Sequence, residues 1–210
     1  DTPAAVAMGF FDGVHLGHQA VIGAAVAHAN AHGLAPAVFT FSQPEGGRVK
    51  GKRLLTETSK HRALAALGVE ICFEPTFASF CTLAPEDFFR WILAGRYKAQ
   101  ALFCGEDFAF GANRAGDVTL LRRLCAEHNL HFETVPTACY QKLPVSSSRI
   151  RQELAAGNIA EANAMLGRPW EVELPLRRGQ GLGHQFGFPT INQIFPADMQ
   201  PPAPGVYNTR

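Results

Sequence analysis

The chain has 210 residues, 47% of them hydrophobic, enough to bury the core of one ordinary domain plus a smaller unit and too apolar for a disordered chain. Its 19 Lys and Arg balance 18 Asp and Glu, so no net field favours nucleic acid or an anionic membrane surface, and any anionic ligand must be caught by local groups. No apolar run spans a bilayer, and the opening DTPAAVAMGFFDG has neither the basic region nor the apolar stretch of a secretion signal, so a soluble cytoplasmic protein is expected.

Val6 to Met8 is a short apolar stretch running into the glycine-rich GFFDGVHLGH. Val21, Ile22, Ala25, Val26 and Ala29 then recur at helical spacing, and Gly33 is placed to end that helix. AVFTF reads as a buried strand, TSKHRALAALG as a capped helix ended by Gly68, and VEICFE as a further strand. APEDFFRWILAG has Pro85 near its first helical position and Gly95 after its last, and QALFCG follows as a strand. GDVTLLRRLCAEHN and HFETVP add a helix and a strand, and SSSRIRQELAAG and NIAEANAMLG two short helices, each closed by glycine.

This alternation predicts an α/β fold, a mostly parallel sheet covered by helices on both faces, with ligands at the carboxyl ends of the strands. At Arg168 and Pro169 the texture changes to β-prone segments broken by Gly and Pro, which places a domain boundary there and divides the chain into residues 1–168 and 169–210. Asp1 in place of Met, with an apolar stretch almost at once, suggests missing residues at the front. Cys72, Cys81, Cys104, Cys125 and Cys139 are odd in number and form no C-x-x-C pair, so buried or incidental thiols are expected.

In GFFDGVHLGH, Gly9, Gly13 and Gly17 permit tight turns and close approach of a ligand, and His15 and His18 flank the start of the next helix. Free N–H groups and the positive end of the helix dipole suit an anion there. Two imidazoles can donate to phosphate oxygens, and in their charged form they offset charge as a phosphoryl bond breaks. No protein nucleophile is needed if the second substrate brings its own phosphate.

The segment resembles the G-x-F-D-G-x-H-x-G-H signature of the FAD synthetase branch of the HxGH nucleotidyltransferases. FCGEDFAFGANRAGDVTLL is similar to that family's G-x-D-F-x-F-G stretch, and VSSSRIRQELAAGNIAEANAMLGRPW to its I-S-S-T-x-x-R stretch. The resemblance implies a Rossmann-like nucleotidyltransferase domain in which Gly9, Phe11, Asp12, Gly13 and Gly17 line the ATP site and His15 and His18 bind the phosphates of the transition state. It places Gly105 and Asp107 beside the nucleotide and flavin phosphates, and Ser146, Ser147, Ser148 and Arg151 on the departing pyrophosphate. Read without the family, SSSR is an ordinary helix cap. Where relatives carry an F-x-P-H-P-like segment this chain has FTFSQPEGG, which sets the flavin-side contacts of Ser42 to Glu45 apart from the pattern. Phe41, Phe73, Phe77, Phe80, Phe108 and Phe110 are candidates to stack on a flavin ring, with core packing the better expectation for any one of them.

From Glu171 the sequence resembles the opening of a riboflavin kinase domain, a small antiparallel β-barrel with a G-F-P-T-A-N motif, here GFPTIN. By that resemblance Thr190 and Asn192 hold Mg²⁺ and ATP phosphates, and Gly181 and Gly183 form a flexible glycine loop. The chain stops at Arg210, after a GVY strand and before the family's catalytic glutamate, so no kinase activity is expected. An incomplete barrel would expose strand edges, predicting homo-oligomers through residues 170–210. The expected reaction is transfer of AMP from ATP to FMN, giving FAD and pyrophosphate. The alternatives are another HxGH adenylyl- or cytidylyltransferase and a non-catalytic flavin- or nucleotide-binding module.

Overall fold

AAVAM and APAVF offer no polar position, the pattern of strands covered on both faces. In the computed structural model, which describes residues 2–41, 51–177, 179, 187 and 190–209, they form β1 (Ala4–Met8) and β2 (Ala35–Phe39), buried throughout. Between them lies α1 (Leu16–His32), ended by Gly33 in the left-handed conformation. The helix α2 (Glu57–Ala66) starts before the expected TSKHRALAALG, because Thr56 caps it by accepting from the Ser59 N–H at 3.2 Å. Strand β3 (Ile71–Phe73) follows.

The helix begun at α3 (Pro85–Asp87) continues as a π-helix over Phe88–Arg96, so Gly95 lies inside it and does not terminate it. A Cβ on Gly95 would come within 2.9 Å of the Arg90 carbonyl oxygen, so the widened turn needs glycine there. After β4 (Ala99–Gly105), β5 (Ala109–Phe110) and β6 (Gly116–Asp117) form a short antiparallel pair. Then come α4 (Val118–Glu127), β7 (His131–Val135), the hairpin of β8 (Cys139–Tyr140) and β9 (Leu143–Pro144), α5 (Ser147–Ala156) and α6 (Ile159–Leu166).

Five strands pair in parallel in the order β3-β2-β1-β4-β7. Alternate residues of β1 serve opposite faces. Ala4, Val6 and Met8 join Phe88, Phe89, Leu93 and Leu121 in one core, while Ala5 and Ala7 join Val21, Ile22, Ala25 and Leu64 in the other. The chain leaves β1 toward β2 on one side and takes up β4 on the other, so the carboxyl ends of β1 and β4 flank a topological switch point, where ligands bind in sheets of this kind.

A third apolar cluster, Leu54, Val145, Ile150, Leu154, Met165 and Leu166, seats α5 and α6 under the loop after β1. The segment around Asp198 runs along Arg53: the Arg53 N–H donates to the Asp198 carbonyl at 2.7 Å and the Gln200 N–H to the Arg53 carbonyl at 2.9 Å. In the C-terminal part the described residues form one antiparallel pair, β10 (Leu176–Arg177) with β11 (Asn192–Gln193). Gly205 to Tyr207 form no strand; the Tyr207 hydroxyl folds back to donate to the Ala203 carbonyl at 2.6 Å. All five cysteines are free thiols, with Cys104 and Cys125 buried.

Candidate active site

The loop between β1 and α1 is strained, and the strain is clamped. Phe11 and Val14 carry φ of 53° and 43°, a conformation that is costly for a bulky or β-branched residue. Gly13, at φ 84°, lies where a Cβ would come within 2.8 Å of the Leu54 side chain. Two side chains hold the carbonyls of this turn. The Arg168 guanidinium donates to Val14 O at 2.9 Å and to Gly13 O at 2.8 Å, and the Gln19 amide donates to Val14 O at 2.8 Å. On the other flank the Gly9 N–H donates to Phe39 O at 3.1 Å, and the Thr40 hydroxyl to Phe10 O at 2.9 Å.

Arg168→Met removes the guanidinium contacts and leaves the Gly13 carbonyl without its donor, while Gln19 still holds Val14 O, so a loss of about 1–3 kcal/mol of stability is expected. Urea denaturation reads it, and an unchanged midpoint would show that the turn holds without the clamp.

His15 ends the loop and caps α1: its Nδ1 accepts from the His18 N–H at 3.4 Å, which leaves the ring proton on Nε2. The two imidazoles stack at 3.6 Å, the Phe11 ring meets His18 edge-on at 5.3 Å, and a Cβ at Gly17 would touch the His15 ring at 3.3 Å. Burial pushes His15 down to about 4, and the charges of Arg168 and Arg151 act in the same direction. At neutral pH, with no anion bound beside it, His15 is therefore a neutral donor through Nε2.

A pH dependence follows. Between pH 4 and 6.5 the unfolded chain binds the proton that folded His15 refuses, so stability falls as the pH falls through that window. From pH 7 to 5 the loss is about 2 kcal/mol. The difference between the native chain and His15→Gln in urea midpoints at the two pH values measures it, and parallel profiles would refute it.

Asp12 is 6% exposed. Its Oδ1 accepts from the Leu54 N–H at 2.9 Å and its Oδ2 is paired with the Arg151 guanidinium, whose Nε donates to Lys52 O at 2.6 Å. Burial pushes the Asp12 carboxyl up, opposed by the Leu54 N–H and by Arg151. The Ser147 hydroxyl donates to the Asp12 carbonyl at 2.8 Å, and Ser146 caps α5 by accepting from the Arg149 N–H at 3.2 Å. Ser148 is exposed in the first turn of that helix. Asp12, Arg151, Ser147, His15 and His18 are thus joined by contacts around one loop.

Gly105 ends β4 and Asp107 follows it, exposed, on the other flank of the switch point. Thr190 and Asn192 are exposed in the C-terminal segment; Gly181, Gly183 and Ser42 to Glu45 lie outside the described residues. Of the candidate aromatic rings, Phe80 and Phe110 are buried in the core, and Phe41, Phe73, Phe77 and Phe108 pack against it. Sequence reasoning missed Arg168, Gln19 and the backbone of Lys52 and Leu54. A lone Arg behind a helix-ending glycine carries no periodic signal; the strained turn it serves was the only pointer.

A family model described as FAD synthetase matches residues 1–149. The chain belongs to the FAD synthetase family. A riboflavin kinase model matches residues 166–210. Among FAD synthetase relatives, the bifunctional riboflavin kinase/FMN adenylyltransferase of Escherichia coli K12 is 33% identical over 205 residues, covering 95% of this chain and 65% of that protein. The corresponding protein of Listeria monocytogenes is 33% identical over 213 residues, with 99% and 67% covered. A protein of the same organism named FAD synthetase is 30% identical over 189 residues, with 87% and 76% covered. The crystal structure of a Streptococcus pneumoniae protein, described as a macrolide-efflux protein, superposes with a TM-score of 0.85 at 28% identity, over 98% of this chain and 68% of that one. The chain therefore spans about two thirds of the length of the bifunctional relatives.

Proposed function

We propose that this chain transfers AMP from ATP to FMN, giving FAD and pyrophosphate. The observation that carries the proposal is the strained, clamped loop at the switch point of a FAD synthetase family chain, with two stacked histidines at the start of α1 and the Asp12–Arg151 pair beneath it. An FMN phosphate oxygen attacks the α-phosphorus of ATP. One P–O bond forms as the bond to the β-phosphate oxygen breaks, and pyrophosphate leaves with the electron pair. Catalysis is positioning and charge stabilisation, with no covalent enzyme intermediate.

In this mechanism His15 donates from Nε2 without carrying charge, and its stack and cap fix His18 over the first turn of α1. Gly9, Phe11, Gly13 and Gly17 shape the turn around ATP. Ser146, Ser147, Ser148 and Arg151 face the departing pyrophosphate, and Gly105 and Asp107 approach from the end of β4. Residues 1–168 act as the adenylyltransferase domain, and residues 169–210 as the beginning of a riboflavin kinase domain.

Thr190 and Asn192 fit Mg²⁺ by donor type, hydroxyl and amide oxygens. The Asn192 amide nitrogen is the atom nearest Gly179, with the amide oxygen turned away from that glycine. Bound there, or carried in with ATP, the ion would neutralise phosphate charge.

No helix among the described residues is long and apolar enough to cross a membrane; on the proposed reading the chain is a cytoplasmic enzyme acting on small molecules. Exposed Leu176, Ile191 and Ile194 support self-association through residues 170–210, and a monomeric mass in solution would count against it.

The test is incubation with FMN, ATP and Mg²⁺, following FAD and pyrophosphate together. Equal amounts of both support the proposal; ATP binding without FAD would overturn it.

A further inference from the structure

Away from the loop, three side chains of different ligand chemistry meet at the outer edge of the sheet. Cys72 lies on β3, the terminal strand, Glu74 just beyond it, and His61 on α2. An imidazole nitrogen of His61, the Cys72 sulfur and a Glu74 carboxylate oxygen all lie within 4.8 Å of one another. The His61 Nε2 is 2.7 Å from Glu74 Oε2. We propose that His61, Cys72 and Glu74 form a site for one thiophilic divalent cation of the Zn²⁺ class, clamping α2 to the edge strand.

Nitrogen, sulfur and oxygen are the three donor types that Zn²⁺ accepts, and three protein ligands with an open fourth position is the arrangement in which it holds a water. Bonds of about 2.0 Å to nitrogen and oxygen place those atoms about 3.3 Å apart in a tetrahedron. The His61–Glu74 contact therefore opens slightly and the sulfur draws in. His61 is 49% exposed at its side chain, which leaves it room to turn.

The carboxylate is already oriented. The Lys60 ammonium, from the same helix as His61, holds Glu74 Oε1, leaving Oε2 to face His61. An outer partner of this kind fixes a metal-binding carboxylate in its binding posture. The positive charge of Lys60 is offset by Glu57 at 3.1 Å. The three ligands also line a groove of about 270 Å³ together with Leu64, Val69 and Glu70, ample for a fourth ligand of water size. Mg²⁺, which requires hard oxygen ligands in octahedral geometry, does not suit this set.

The test is titration of the intact, chelator-treated chain with Co²⁺, reading the thiolate-to-cobalt charge-transfer band in the near ultraviolet. One equivalent should give the band, excess Mg²⁺ should leave it unchanged, and Zn²⁺ should displace it. Cys72→Ser should abolish the band, and His61→Gln, at an exposed helix position, should weaken Co²⁺ binding at least tenfold. The proposal is overturned by absence of the band, by its survival in Cys72→Ser, which would assign it to another thiol such as exposed Cys139, or by unchanged affinity in His61→Gln.

Discussion

His18→Ala is expected to lower kcat for FAD formation by about 10²–10³-fold while changing the KM for ATP only a few-fold. His18 is the cleaner of the two histidines to remove. His15 caps α1 and is 6% exposed, so its loss unsettles the loop as well as the chemistry, whereas His18 is partly exposed and stacks on it from outside. A contact that strengthens as charge builds on the transferring phosphate acts on turnover, and one made equally in the ground state acts on KM. Steady-state kinetics with ATP varied at saturating FMN separates the two. Weakened ATP affinity with intact turnover would reassign His18 to ground-state binding.

The alternation of strands and helices was legible because parallel strands covered on both faces leave apolar runs such as AAVAM, and glycines after the helices mark their ends at Gly33, Gly157 and Gly167. The glycine-rich loop was legible for the same reason, its composition being tied to its turn. Partnerships were not. Asp12 and Arg151 were each expected to serve a ligand, yet they hold each other, a contact set by the packing of α5 on Leu54 that no local pattern records. Arg168 was read as the mark of a boundary, although it reaches back to the carbonyls of Gly13 and Val14. Gly95 was read as a stop signal because glycine follows many helices, whereas here it admits the Arg90 carbonyl into a widened turn. The burial that lowers the His15 pKa is likewise something a sequence does not show.

The Asp12–Arg151 pair carries the second large effect. Arg151→Met leaves a carboxyl that is 6% exposed with the Leu54 N–H as its remaining hydrogen-bond donor, and breaking a buried pair in this way costs about 3 kcal/mol at pH 7. Burial already raises the Asp12 pKa, and losing the guanidinium, which lowers it, raises it further. A carboxyl raised in the folded state contributes stability below its unfolded pKa and loses it as the pH rises through the folded value. The Arg151→Met deficit should therefore shrink as the solution is acidified. Asp12→Asn combined with Arg151→Met should lose less than the sum of the single changes, because the amide needs no counter-charge. Urea midpoints at pH 7 and 5 decide this, and strict additivity would mean that the two groups do not support each other. Activity separates the structural role from the proposed chemical one. Whatever stability the double variant keeps, it still lacks the guanidinium assigned to pyrophosphate, so its FAD synthesis should stay as low as that of Arg151→Met alone. Recovery of turnover along with stability would show that Arg151 acts only by holding Asp12.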